Sequence, residues 1–248
     1  MADTIDFAVL DDVLLAPQSR HATIKRVLET RSIAAIGPAL EYAIQQPRYA
    51  NILPPIPTLA ASDVTAALQG IMHSVHQGLR STSLDPQPVE IALLRSRDSL
   101  CERAGWVAFL KRLDAAAQRV GFGKSTAGGF VGTVDELVEN TDIHSQAPDT
   151  GIVGYSFNDQ TFEFVIADTG IGALASLRQC PDYAHLSDHG DALLMALTNG
   201  ESRFGRNTNH GHGFRHLFVA LASLYGSLRF RTGDHRLQIE GISPELQA

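Results

Sequence analysis

The chain has only two cysteines, Cys101 and Cys180, with no Cys-x-x-Cys spacing and no cluster of metal-ligand type around either. That scarcity excludes a disulfide framework and a structural zinc site. Positive charge is also in short supply: 20 Lys and Arg stand against 27 Asp and Glu, a formal net charge of −7. A broad nucleic-acid footprint or an anionic-membrane surface therefore fits poorly. No run approaches the ~18 consecutive apolar residues of a membrane span. The opening MADTIDFAVLDDVLLAPQSR carries acids where a signal peptide needs a basic start, so the expected location is cytoplasmic. Internal repeats and low-complexity tracts are absent as well. What is there is an ordinary globular composition, 44% hydrophobic and 19% charged over 248 residues, enough for one large core or two smaller ones.

The two halves differ in pattern. Between Thr23 and Gln46 apolar residues recur at helical spacing, with Gly37-Pro38 expected to break the run into two helices. Asn51 to Thr58 holds three prolines and reads as an extended connection. Ser62-Asp63 offers an N-cap for a helix running to about Gly78. Val89 to Leu94 reads either as a short buried strand or as the start of a helix. From about Asp98 to Arg119 the pattern is helical, and Gly121 and Gly123 break it, placing a boundary near Phe122. Beyond it come a helix from Thr126 to about Ser145 and strands from Gly151 to Phe157 and Thr161 to Asp168, turned at Asn158. Helices around 190–197 and 214–225 follow, then a closing hairpin around Gly233-Asp234. The expected organisation is a mainly helical regulatory or dimerisation domain over 1–121 and an α/β (α+β) domain over 122–248.

Three segments of the second half carry chemistry. Glu136, Asn140 and His144 lie four residues apart, and four residues at 3.6 per turn return to within about 40° of the starting direction, so they share a helix face. Mg²⁺ takes few protein oxygens and is usually held together with phosphate and water, a role suited to the single amide oxygen of Asn140. Glu136, one turn earlier, can orient or deprotonate an attacking water or hydroxyl near a γ-phosphate. Asp168 ends an apolar strand and is followed by Thr-Gly-Ile-Gly. Its carboxylate can accept from the exocyclic amine of adenine, which guanine replaces by a carbonyl, while Gly170 and Gly172 let backbone approach the base. Gly211-His-Gly213 opens an apolar-periodic helix, where freed N–H groups and the helix dipole form a phosphate site.

In this order Glu136 to Ser145, Asp168 to Gly172 and Gly205 to Leu217 resemble the N, G1 and G2 boxes of the GHKL superfamily of gyrase, heat-shock chaperone, histidine kinase and mismatch-repair ATPases. The run ELVENTDIHS is most similar to the branch of histidine kinases and anti-sigma-factor serine kinases. The resemblance covers about residues 122 to 241. It implies a two-layer α/β sandwich, a mixed sheet on one face and helices on the other, with ATP bound beneath a mobile lid. It implies that Asn140 holds Mg²⁺, that Glu136 is the catalytic carboxylate, and that Asp168 contacts adenine. Gly170, Gly172, Gly211 and Gly213 would be the backbone approaches, with His144 beside the nucleotide in a supporting role. Residues 173–210 would be the lid, from which Arg203 or Arg206 neutralises the γ-phosphate.

The pattern departs in places. Arg215 stands where many kinases have a third glycine, and the terminal hairpin lacks the usual strand-opening Gly-Thr, for which Thr232 is the available substitute. His21, His73 and His76 are the N-terminal phosphoacceptor candidates, and none has the acidic or basic residue and proline expected around such a histidine. The leading expectation is an ATP- and Mg²⁺-binding kinase-like ATPase that transfers the γ-phosphoryl group to a protein acceptor or to water, in bacterial-type signalling. The alternatives are a nucleotide-gated protein-interaction module with little chemistry and a degenerate domain that binds no nucleotide. The N-terminal helices are as consistent with forming a homodimer as with sensing.

Overall fold

The computed structural model describes residues 4–33, 35–73, 83–94, 100–198 and 226–240. The chain is a mixture of helices and antiparallel sheet and divides into two compact units: Met1–Ala127 with Asp149–Asp168, and Gly128–Pro148 with Thr169–Ala248. The division is not linear, because a strand from the N-terminal side completes the sheet to which the 152–167 hairpin belongs.

The first unit contains helices α1 (Phe7–Leu14), α2 (His21–Leu28), α3 (Ile36–Gln45) and α4 (Asp63–His73), strand β1 (Val89–Leu93), helix α5 (Leu100–Arg119) and strands β2 (Ile152–Phe157) and β3 (Phe162–Ala167). The ambiguous segment at 89–94 is thus a strand. Helix ends follow local chemistry. Asp6 accepts from Val9 N at 2.9 Å at the start of α1. Ser62 and Thr65 cap α4 reciprocally, Ser62 Oγ accepting from Thr65 N at 3.1 Å and Thr65 Oγ1 from Ser62 N at 2.7 Å, which satisfies two otherwise unpaired donors. The β2–β3 turn is held by Asn158 Oδ1, which accepts from the N–H groups of Gln160 and Thr161 at 2.9 Å each.

Two local expectations are corrected. The break between α2 and α3 falls before Gly37-Pro38, and Pro38 is the third residue of α3, where its missing N–H would find no partner inside the helix anyway. The 51–58 segment is compact rather than extended: a turn runs to Ile52 and a 3₁₀ turn spans Ile56–Thr58, with Ile52, Leu53 and Ile56 buried. Proline's fixed φ suits such a turn as well as an extended chain.

Strands β1, β2 and β3 lie side by side, all pairs antiparallel. A mixed sheet was expected; among the described residues the one parallel pairing is an isolated bridge between Thr4 and Ser32. Register assigns the faces. Ile91, Gly154 and Val165 stand opposite one another, and Val89, Ile91, Ile152 and Val165 join the core formed with α1, α3 and α4. Glu90, Tyr155 and Phe164 form the other face, against which α5 packs, with Trp106 stacked on Phe109 at 5.4 Å between centroids and Phe109 tilted against Tyr155 at 5.5 Å. The sheet of this unit therefore carries helices on both faces, where one covered face was expected, because apolar side chains point both ways from β2.

Each face carries an ionisable group, buried on the α5 side and half-buried on the α3 side. On the α5 side Arg112, 2% exposed, meets Glu90 side-on, Nε to Oε2 at 2.8 Å, while Tyr155 donates to the same Oε2 at 2.7 Å and Arg112 Nη1 to Ser83 O at 2.6 Å. Such a pair holds only when nearly every donor is met. On the α3 side Glu163 reaches from β3 to the start of α3 and accepts from Ile36 N at 3.1 Å and Gly37 N at 2.9 Å. Pro38 has no N–H, and Ala39 N bonds to Ala35 O. The whole first turn of α3 is thereby accounted for, without a cap from Ala35.

The second unit holds α6 (Lys124–His144) from Gly128 onward, α7 (Gly172–Leu177), α8 (His189–Thr198) and the hairpin β4 (Ser227–Thr232) and β5 (His235–Glu240). Leu174, Leu177, Tyr183, Leu186 and Ala192 form its small core. Asp188 caps α8, accepting from Gly190 N at 2.8 Å and Asp191 N at 3.0 Å. His235, bonded to Asp234 at 2.8 Å, lies 3.8 Å from the same Asp188. No described helix is long and apolar enough to cross a membrane.

Replacing Glu163 by Ala strips two N–H groups of their acceptor and should destabilise the chain by about 2 kcal/mol in urea denaturation. Burial raises the Glu163 carboxyl above its ordinary 4.5, against the lowering pull of the Gly37 and Ile36 N–H groups and of Ser156. A folded pKa above the unfolded one means that this group's contribution is complete below the unfolded value and is lost as pH rises through the folded value. The gap between wild type and Glu163→Ala should therefore widen on acidification from neutral pH toward 4.5; a gap that narrows would contradict the assigned burial.

Candidate functional site

Helix α6 displays the expected spacing as two stripes. Ala127, Phe130, Val134, Val138 and Thr141 are buried, each three or four residues from the next. Glu136 points about 160° from the centre of that stripe, Asn140 about 120° and His144 about 80°, at 100° per residue. All three are half-buried, a placement open to a ligand without being fully solvated. His144 Nδ1 lies 3.3 Å from the hydroxyl of Ser176 on α7. Ser176, buried, was not among the residues singled out from sequence; nothing in its own neighbourhood marks it.

Past His144 the helix ends in a tight turn. Ser145 N still bonds to Thr141 O, Ser145 Oγ accepts from Ala147 N at 2.9 Å, and Gln146 adopts a left-handed φ of 57°. This turn meets the glycine loop directly. Ser145 O accepts from Ile171 N at 2.9 Å, and Gly170 packs so closely that a Cβ there would lie 2.7 Å from Ser145 Cα, inside van der Waals contact. Gly172 has φ of 74°, a conformation that favours glycine. Just beyond, Ala173 N donates to Thr232 Oγ1 at 2.9 Å, so Thr232 at the end of β4 is held against the start of α7, itself buried. Both glycines are thus required by the protein's own backbone: one by Ser145, the other by its φ and by Thr232.

The end of the helix bearing Glu136, Asn140 and His144 is in this way joined to Gly170 and Gly172, and the latter to Thr232. Asp168 directly follows β3, half-buried, two residues before Gly170. Arg203, Arg206, Gly211 and Gly213 lie outside the described residues, as does the helix expected at 214–225.

Among the described residues no group of three or more His, Cys, Asp or Glu side chains could hold a metal ion by itself. Asn140 offers one neutral amide oxygen, a donor set that suits an ion held chiefly by phosphate and water. Of the N-terminal histidines, His21 has both ring nitrogens engaged, Nε2 with Ala16 O at 3.0 Å and Nδ1 with Asn51 at 2.8 Å, the pattern of a structural bridge. His76 lies outside the described residues. Compared with protein-family models, curated proteins and solved structures, the chain finds no match.

Gly170→Ala should cost about 2 kcal/mol or more, since the added methyl meets backbone that cannot rotate away, and should speed hydrogen exchange at the Ile171 amide. Thr232→Val should speed exchange at the Ala173 amide while Thr232→Ser leaves it slow. Equal exchange in both Thr232 variants would show that the hydroxyl is not the acceptor.

Proposed function

We propose that the chain is an ATP- and Mg²⁺-binding ATPase of the histidine-kinase-like group, transferring the γ-phosphoryl group of ATP to a protein acceptor or to water. The observation that carries the reading is the junction of Ser145 with Gly170 and Ile171, which joins the end of the Glu136–Asn140–His144 helix to the Gly-x-Gly turn that follows Asp168 in sequence.

Asn140 would provide the protein oxygen for Mg²⁺, whose bound charge stabilises phosphate oxygens during transfer. Glu136, on the same helix side and one turn earlier, would orient or deprotonate the attacking hydroxyl or water. Asp168 would accept from the adenine amine and so select against guanine. His144 is fixed by Ser176 rather than left to swing, which suits positioning more than proton transfer. Arg203 or Arg206 would complete phosphate binding from the 173–210 segment, and Gly211 and Gly213 would supply backbone donors.

Saturating Mg²⁺-ATP, at about 100 times its Kd, should stabilise the chain by about 2.7 kcal/mol and raise Tm by several degrees. Calorimetry should show affinity at least ~10-fold weaker in Asp168→Ala; unchanged affinity removes the adenine assignment. Glu136→Ala should bind ATP about as tightly as wild type and turn it over ~10²-fold more slowly or worse. Binding without any Mg²⁺-dependent turnover in the wild type would reject catalysis and leave a nucleotide-gated interaction module.

A further inference from the structure

Helices α1 and α2 leave between them an open cleft of about 570 Å³, lined on its apolar side by Val9, Val13, Ala16, Ile24 and Val27. Two of the five large hydrophobic side chains most exposed on the described surface belong to it, Leu15 at 82% and Val27 at 45%. Its floor is firm: Val13 and Leu28 are part of the buried core. Its end is pinned by His21 between Ala16 and Asn51, and α2 is tied by Lys25 Nζ to Ala50 O at 2.8 Å.

Charge at this cleft runs against that of the chain. Arg20 and Arg31 both line it, one immediately before α2 and the other just beyond its end. Neither guanidinium has an ion-pair partner among the described residues. Lys25 and Arg26 lie between them with Glu29 as the one acid, in a chain of net charge −7. A single carboxylate, Asp12, stands on the α1 side. The cleft is thus an apolar trough with a cation at each end that has no ion-pair partner among the described residues, the ends separated by an eight-residue helix of about 12 Å and the few residues beyond it.

We propose that this cleft docks an amphipathic helix of a protein partner. The partner's apolar face, at i, i+3, i+4 and i+7 spacing, fills the trough, and acidic side chains about three turns apart meet Arg20 and Arg31. A concave trough favours an inserted helix over a flat bilayer. Exposed ion pairs are each worth little, so apolar burial supplies the affinity and the arginines set direction and partner choice. The inference is independent of the nucleotide reading.

The test is fluorescence anisotropy of the full chain, in nucleotide-free buffer, with a labelled helix-forming peptide of about 20 residues carrying leucines at that spacing and glutamates about three turns apart. Saturable binding with Kd on the order of 10 μM is expected. Val27→Asp should weaken it ~10-fold or more, and Leu15→Ser, at a site too exposed to affect folding, should weaken it measurably. Arg20→Glu with Arg31→Glu should weaken it ~5-fold, and a peptide with lysines for the glutamates should then regain binding to that double variant. Absence of saturable binding overturns the proposal, as does a scrambled peptide of the same composition binding equally well. So does binding to phosphatidylserine vesicles that Val27→Asp abolishes, which would assign the cleft to a membrane.

Discussion

The first unit depends on a carboxylate that does the work of a helix cap from another element. Ala35 has no side-chain cap to offer the start of α3, and Pro38 has no N–H to be capped, so the N–H groups of Ile36 and Gly37 would be left without an acceptor. Glu163, on a strand more than a hundred residues later, answers both. Its negative charge also meets the positive end of the helix dipole. Because side chains alternate along a strand, Glu163 can do this only in the register that also turns Val165 toward the core and Phe162 and Phe164 away from it. One hydrogen-bonded group therefore fixes which way β3 faces, and with it the position from which the chain leaves the sheet at Asp168.

Features set by neighbours in sequence were legible in advance. Ser62 as a cap, the Asn158 turn with the strands on either side of it, and the break at Gly121 all follow from local chemistry. Features set by distant partners were not. Nothing near Glu163 announces that it caps α3, and nothing near Glu90 announces that Arg112 and Tyr155 will close on it. The second helical layer on the sheet was equally hidden, because a strand with apolar residues on both faces reads the same whichever helices cover it. The prolines of 51–58 misled for a related reason: the ring fixes φ and leaves ψ to be chosen by the buried neighbours Ile52, Leu53 and Ile56.

At the candidate site the helix spacing of Glu136, Asn140 and His144 was visible, since it needs only the period of an α-helix. The reason for the glycines was not. Their spacing alone suggests room for backbone to approach a base; in the structure they make room first for Ser145 and for Thr232. The two accounts are compatible, because a loop drawn tightly onto a helix end is also one whose backbone is fixed. Ser176 escaped notice altogether, a buried hydroxyl meaningful only through the His144 ring beside it.

The contact between Ser145 and Gly170 is made by main chain on one side and by the absence of a side chain on the other. Its geometry is therefore indifferent to most of the chemistry around it. Position 171 can drift among residues that keep an N–H, and 145 among those that keep a carbonyl in place, which leaves only proline barred at 171. Position 170 has no such latitude: its permitted alphabet is a single letter. Over evolutionary time the loop would keep its shape while its composition wandered, and the fixed glycine would be the trace by which a distant relative could still be recognised.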